Sequence, residues 1–215
     1  VLKALRDSGQ DEDTLIVFTS DQGFGWGQHG FKSKVAGYHA TVGAPLIIRL
    51  PGAKAKGTAG RVVSEPVSGV DITPTFFAQA GLPLPWKMHG EDLSPLLEDP
   101  KAKRTSPAML VHTGKIYGSA TAKIPNKDDP ALYHGPGVPW YVMLADGRHK
   151  YIRNLIEGEV EELYDLKRDP EELNNLAPKP RFTRRLENLR QKTIEELKRT
   201  RAPFVGGMPT AATMK

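Results

Sequence analysis

The chain has 215 residues, 39% of them hydrophobic and 26% charged, with a formal net charge of +5. That is ordinary composition for a globular protein long enough to bury a sizeable core in one or two domains. The absence of cysteine excludes disulfides and thiolate metal sites, and no apolar run reaches the length that spans a bilayer.

The first residues, Val1-Leu-Lys-Ala-Leu-Arg6, are not a signal peptide. They read as the last turns of an amphipathic helix stopped by Gly9, which implies a preceding portion in the native protein. Thr14 to Phe18 is a continuous apolar, β-branched run, the pattern of a strand buried on both faces of a parallel sheet. It ends in Ser20-Asp21-Gln22-Gly23. Open α/β sheets carry their chemistry at the carboxyl ends of strands, which makes Asp21 and Gln22 candidate site residues. A carboxylate and an amide carbonyl are donors that a hard divalent cation takes, yet calcium needs roughly six to eight oxygens, so these two form only part of a site. A glycine-rich loop follows through Gly30, then a short helix near Val35–Thr41. Pro45-Leu-Ile-Ile-Arg-Leu50 is a second buried strand, closed by Pro51-Gly52. From Gln22 through Ser64 there is no Asp or Glu, while Lys32, Lys34, Arg49, Lys54, Lys56 and Arg61 all fall there. Such a field suits an anionic ligand, although a set of solvated lysines has the same pattern. Arg61-Val-Val-Ser-Glu-Pro-Val-Ser then leads into a helix with Thr73 as its cap, Pro74 at its first position and Gly81 as its terminator. The alternating order predicts an α/β sheet with helices on its faces.

Character changes after Leu97. Ala108–His112 reads as a strand. Trp140–Ala145 and Arg148–Asn154 flank Asp146-Gly147, a strong hairpin signal, and Glu162–Leu166 is a further strand. Phe182, Leu186, Leu189, Thr193 and Leu197 form one stripe of a terminal helix, within a segment (179–201) that carries nine Lys/Arg against three Glu. A small antiparallel sheet packed on that helix is the expected architecture. Residues 113–139 form a long Gly- and Pro-rich connection, of the length typical of functional lids or disordered segments. There are no internal repeats.

Gly25-Trp-Gly-Gln-His-Gly30 matches G-x-G-x-x-G, but a dinucleotide site also requires a helix opening at the third glycine and an acid about twenty residues on. No acid occurs before Glu65, so that reading is rejected. Ser20-Asp21-Gln22-Gly23 alone is a common strand-end turn. Read with Asp13-Thr-Leu-Ile-Val-Phe-Thr-Ser-Asp-Gln-Gly23, Gly27-Gln-His-Gly30, Lys34 and Pro45-Leu-Ile-Ile-Arg-Leu-Pro-Gly52, it resembles the second half of the sulfatase family. The likeness continues through Val70-Asp-Ile-Thr-Pro-Thr-Phe-Phe77, Ala80-Gly-Leu-Pro83, Asp146-Gly-Arg-His-Lys-Tyr-Ile-Arg153 and Glu162-Leu-Tyr-Asp-Leu166, with Asp169-Pro170 and Asn175-Leu176. It covers most of the chain apart from residues 113–139 and the end.

The resemblance implies an alkaline-phosphatase-like α/β domain, of which residues 1–105 are the C-terminal part. It also implies a small C-terminal α+β subdomain over 106–203 and a flexible tail over 204–215. It implies a calcium ion held in part by Asp21 and Gln22, with another divalent cation as an alternative, and a sulfate-contacting lysine at Lys34. His29, in the Gly-x-His-Gly loop, is a weaker substrate-side candidate, equally suited to a structural turn. Sulfatases use a formylglycine nucleophile made within a Cys/Ser-x-Pro/Ala-Ser-Arg motif. That motif is absent, so no catalytic nucleophile belongs to this chain and it is expected to be inactive alone. Gln22 stands where relatives have Asn or His, and Tyr38-His39-Ala40 replaces a Tyr-Glu-Glu. The expected substrate is an aryl or carbohydrate sulfate ester, with no nucleic-acid partner. The alternatives are a related phosphodiesterase or phosphonate monoester hydrolase, and a non-catalytic module binding anionic glycans. Export to the periplasm or exterior is common among relatives. His112, His134 and His149 read as loop or strand residues, and Trp140 and Tyr133 as core or rim.

Overall fold

Strand pairing in this protein is antiparallel throughout the described residues. The structure is a computed structural model that describes residues 1–52, 57, 60–114, 120–134 and 137–212. Lys54 and Lys56 of the cationic stretch, and parts of the 113–139 connection, lie outside the described residues. In chain order the elements are α1 (Leu2–Asp7), β1 (Ile16–Thr19), β2 (Gly25–Trp26), β3 (Lys32–Ser33), α2 (His39–Val42), β4 (Leu46–Arg49), α3 (Ile72–Gln79) and α4 (Ser94–Glu98). They continue with β5 (Ala108–His112), β6 (Tyr133–His134), β7 (Val138–Pro139), β8 (Tyr141–Ala145), β9 (His149–Asn154), β10 (Glu162–Asp165) and α5 (Thr183–Arg199). Contacts group the chain into two units: Val1–Asp21 with Ala44–Thr105, and Gln22–Gly43 with Ser106–Lys215. The segment 22–43, expected with the first unit, therefore belongs with the second.

In the first unit, β1 pairs with β4 antiparallel, not parallel as the apolar runs suggested. Cross-strand partners Phe18 and Ile47 are 61% and 63% exposed, so the run is not buried on both faces within this unit. An apolar run reports that its faces want cover; it does not report strand direction, nor which layer supplies the cover. The helix over 72–79 starts earlier than predicted. Ser68 and Asp71 form a capping box around a 3₁₀ turn, Gly69–Asp71, so Thr73 is not the cap and Pro74 lies inside the first turn. There its missing N–H costs nothing, because the first amides of a helix have no intrahelical acceptor. The C-terminus ends as predicted at Gly81, with φ +68°, where Leu82 N–H donates to Phe77 and Gly81 N–H to Ala78, a Schellman arrangement.

Asp71, wholly buried, organises this unit. Its carboxylate accepts from Ser68 N (2.7 Å), Glu91 N (2.8 Å) and Arg104 Nη2 (2.8 Å). The chain passes so closely at Gly90 that an added Cβ would lie 2.0 Å from the Val70 carbonyl. The Arg104 side chain is only 6% exposed, so Asp71→Asn takes the nearer of its two carboxylates from a buried cation and leaves it Glu91 at 3.4 Å. We expect it to cost about 3–5 kcal/mol in urea denaturation, with Asp7→Asn on the surface as a near-neutral control.

In the second unit, a four-stranded antiparallel sheet of order β10-β9-β8-β5 bears α5. Period-two alternation divides its side chains between two faces. Val142, Leu144, Tyr151 and Leu163 pack toward Leu186, Leu189 and Leu197 of α5, which confirms the predicted stripe. Tyr141, Met143, Ile152 and Tyr164 pack instead against Phe31, Val35, Tyr38 and Val42. Both faces are thus covered, which is why β8 and β9 read as unbroken buried runs. The helix expected near 35–41 is a single turn, His39–Val42, because residues 31–38 lie against the sheet. In the β8–β9 turn, Asp146 N–H donates to His149 O, so Gly147 and Arg148 are central instead of Asp146-Gly147. Gly147 has φ +93°, as a hairpin with glycine at its first central position requires. Residues 204–212 are not a loose tail. Phe204 is buried, and Thr210 and Ala212 exchange backbone hydrogen bonds with Gly158 and Glu159.

Candidate functional site

Gln22–Gly43 carries most of the sequence-predicted site residues, and its shape is fixed by a glycine and three anchors. A Cβ on Gly23 would lie 2.3 Å from the Ala40 carbonyl and 2.9 Å from that of Gly43. Only glycine lets the chain turn there directly after Asp21-Gln22. β2 and β3 then form a small hairpin, Gly25 opposite Ser33 and Trp26 opposite Lys32. No helix opens at Gly30, in keeping with the rejected dinucleotide reading.

The anchors come from the sheet and the turns beyond it. Tyr141 Oη donates to the Val35 carbonyl at 3.1 Å. Tyr38 Oη and Tyr164 Oη both donate to Glu162 Oε2, at 3.0 and 2.6 Å. Burial pushes the Glu162 carboxyl up from its ordinary range, although those two hydroxyls work against the shift. His39 N–H donates to Glu172 Oε2 at 2.6 Å, and Glu172 Oε1 forms a 2.6 Å ion pair with Lys150. The Lys150 and Glu172 side chains are 3% and 1% exposed. Burial lowers the Lys150 ammonium pKa, partly opposed by Glu172. Sequence reading missed Glu162, Glu172 and Lys150 as positioning residues. Glu162 and Lys150 lie in stretches that carry the family likeness, but their partners are remote in sequence.

Asp21 is exposed and directly follows Ser20 at the carboxyl side of β1, in the first unit. In the second unit, Gln22 Nε2 donates to the Lys34 carbonyl at 2.7 Å, a bond that ties these two positions across twelve residues. The other polar atom of that amide is its carbonyl oxygen, the kind a hard cation takes. Lys34 is exposed and follows Ser33, whose φ of +75° bends the chain out of β3. His29 has φ +55°, stacks on Tyr38 with centroids 3.8 Å apart, and places Nε2 3.0 Å from the Glu171 carbonyl. Those contacts suit the structural turn role weighed for it.

The donor set can be compared with what calcium requires. Asp21 and Gln22 supply oxygens of the right kind, and among the described residues no group of three or more His, Asp or Glu side chains could hold a metal. Two such oxygens fall short of the roughly six to eight that calcium takes. Elsewhere, His112 stacks on Tyr141 at 5.1 Å and meets His134 edge-on at 5.2 Å. Burial lowers the His112 pKa, with the His134 charge adding to it. Trp140 is core, 2% exposed, with Nε1 donating to the Ala131 carbonyl. Asp165 and Asp169 accept turn amides, and Asp165 also pairs with Arg148 at 2.6 Å.

Residues 1–82 match the Sulfatase family model. The N-acetylglucosamine-6-O-sulfatase of Bacteroides thetaiotaomicron is 30% identical over 191 residues, which is 89% of this chain and 31% of that protein. A structure solved in complex with its substrate D-glucosamine-2-N,6-O-disulfate superposes with a TM-score of 0.66 at 26% identity, over 92% of this chain and 36% of that one. The phosphonate monoester hydrolase of Agrobacterium radiobacter gives a TM-score of 0.69 at 26% identity, over 92% and 37%. The chain thus spans about a third of the length of the curated relatives it matches.

Proposed function

Because this chain belongs to the sulfatase family, with its alkaline-phosphatase-like fold, we propose that it forms the C-terminal part of a calcium-dependent sulfatase acting on an aryl or carbohydrate sulfate ester. In this reading Asp21 and Gln22 donate oxygens to the ion, and Lys34 contacts the sulfate. The observation that carries it is the Gln22–Lys34 hydrogen bond. It couples the amide ligand to the backbone of the sulfate-binding lysine, so the two are positioned together. Calcium, when bound, would supply positive charge where negative charge develops on sulfate oxygens. The ammonium of Lys34 adds a charge-assisted hydrogen bond to the same oxyanion. The anchors at Val35, Tyr38 and His39 hold its segment so that little reorganisation accompanies binding. Exposed Phe18 and Ile47 supply an apolar face for further layers of the α/β domain, and the span of about a third of the relatives' length is consistent with that.

The nucleophile is assigned to an upstream Cys/Ser-x-Pro/Ala-Ser-Arg motif. The 215-residue chain assayed with para-nitrophenyl sulfate is therefore expected to show no turnover. Measurable hydrolysis would overturn this division of labour. A second reading, phosphonate monoester hydrolysis, is favoured by the Agrobacterium radiobacter neighbour. Metal plus lysine serves either oxyanion, so comparing kcat/KM of the full-length protein on phenyl sulfate and phenyl phosphonate decides between them.

A further inference from the structure

The second unit contains a cavity of about 560 Å³ that takes no part in the reading above. Arg153 from β9, Arg190, Ile194 and Lys198 from α5, and Val205 and Met208 from the end of the chain line it, together with residues 209–212. The wall formed by the last residues is built in: Gly158 N–H donates to Thr210 O at 3.3 Å, Ala212 N–H to Glu159 O at 3.2 Å, and Thr210 N–H to Glu157 Oε2 at 3.0 Å.

Three cations line this space, and one of them, Arg190, is hydrogen-bonded to a carboxylate. Arg190 donates to both oxygens of Glu161, at 2.9 and 2.5 Å. Arg153, 8% exposed, donates to the Pro209 carbonyl, and among the described residues it forms no ion pair with a carboxylate. Among those residues Lys198 forms none either. The Glu161 carboxylate is within electrostatic reach of Arg153, but its hydrogen bonds go to Arg190 and Tyr151, so one carboxylate is shared between two guanidiniums and an anion near Arg153 would be favoured. Arg153 also closes the Asp146–Arg153 stretch, whose likeness to the family has so far no chemical role. Ile194, Val205 and Met208 give the same space an apolar side.

We propose that this cavity binds a small organic anion, its oxyanion group on Arg153 and Lys198 and its carbon body against Ile194, Val205 and Met208. The volume is within the range usual for small-ligand sites. The choice of a sulfate ester over other organic oxyanions rests on the sulfatase reading. Two sources share that chemistry, a sulfated sugar unit and an aryl sulfate.

The test is titration calorimetry of the 215-residue chain with para-nitrophenyl sulfate, N-acetylglucosamine-6-sulfate and inorganic sulfate, repeated with Lys198→Met and Lys34→Met. Lys198 is exposed, so its loss leaves folding intact. At least one organic sulfate is expected to bind, about tenfold more weakly in Lys198→Met and unchanged in Lys34→Met. Which one binds identifies the source. No organic binding at millimolar concentration overturns the proposal, as does inorganic sulfate binding equally well, which marks an adventitious ion only. Binding lost in Lys34→Met but kept in Lys198→Met refutes the cavity while leaving the role of Lys34 standing.

Discussion

Lys150→Met is expected to destabilise the second unit by about 3–5 kcal/mol, because it leaves the Glu172 carboxylate buried without its cation. The pair is 2.6 Å apart, with side chains 3% and 1% exposed, so solvent screening does little for either partner alone. The double variant Lys150→Met/Glu172→Gln should recover most of the loss. Glutamine keeps an acceptor for His39 N–H, which now bonds Glu172 at 2.6 Å, and removes the stranded charge. Urea midpoints for the parent, the single and the double variant measure this. Equal losses in single and double variants would show that packing volume, not charge, is what Lys150 contributes. The same glutamate holds α2 and with it the segment that carries Lys34.

Lys34→Ala is expected to lower kcat of the full-length protein by about 10²–10³-fold, the magnitude typical of removing one donor to a developing oxyanion. Its calcium affinity should stay near the parent value, because the variant deletes no oxygen ligand and preserves the backbone carbonyl that Gln22 uses. Lys32 is the control: it is also exposed, two residues earlier in β3, and Lys32→Ala should change kcat little. Comparable losses at both positions would reduce Lys34 to one contributor to a diffuse positive field.

The parts of this fold that were legible beforehand are those with a short period or a local signal. The stripe Phe182-Leu186-Leu189-Thr193-Leu197 needs only helical spacing to be read, and Gly81 only the left-handed backbone that ends α3. Asp21, Gln22 and Lys34 were legible as candidates because strand ends and family likeness mark them. The misreadings have physical causes of the opposite kind. Apolar content in β1 and β4 is the same for either strand direction, so the antiparallel ladder could not be foreseen. Asp146-Gly147 signalled the right hairpin, but the register moved by one residue, because Asp146 pairs with His149 and leaves Gly147 and Arg148 central. Glu172 was invisible, since His39 and Glu172 meet across 133 residues and neither belongs to a periodic pattern. The capping box Ser68–Asp71 was local and could have been found, since it matches the S-x-x-D spacing.

In the proposed function, Asp21 contributes a charged oxygen to a calcium site of the full-length protein. Titration calorimetry of calcium into the full-length protein and its Asp21→Asn variant tests it without relying on turnover. The variant is expected to bind about tenfold more weakly or worse, because a hard cation loses a charged ligand. Identical affinities for the two proteins would contradict it.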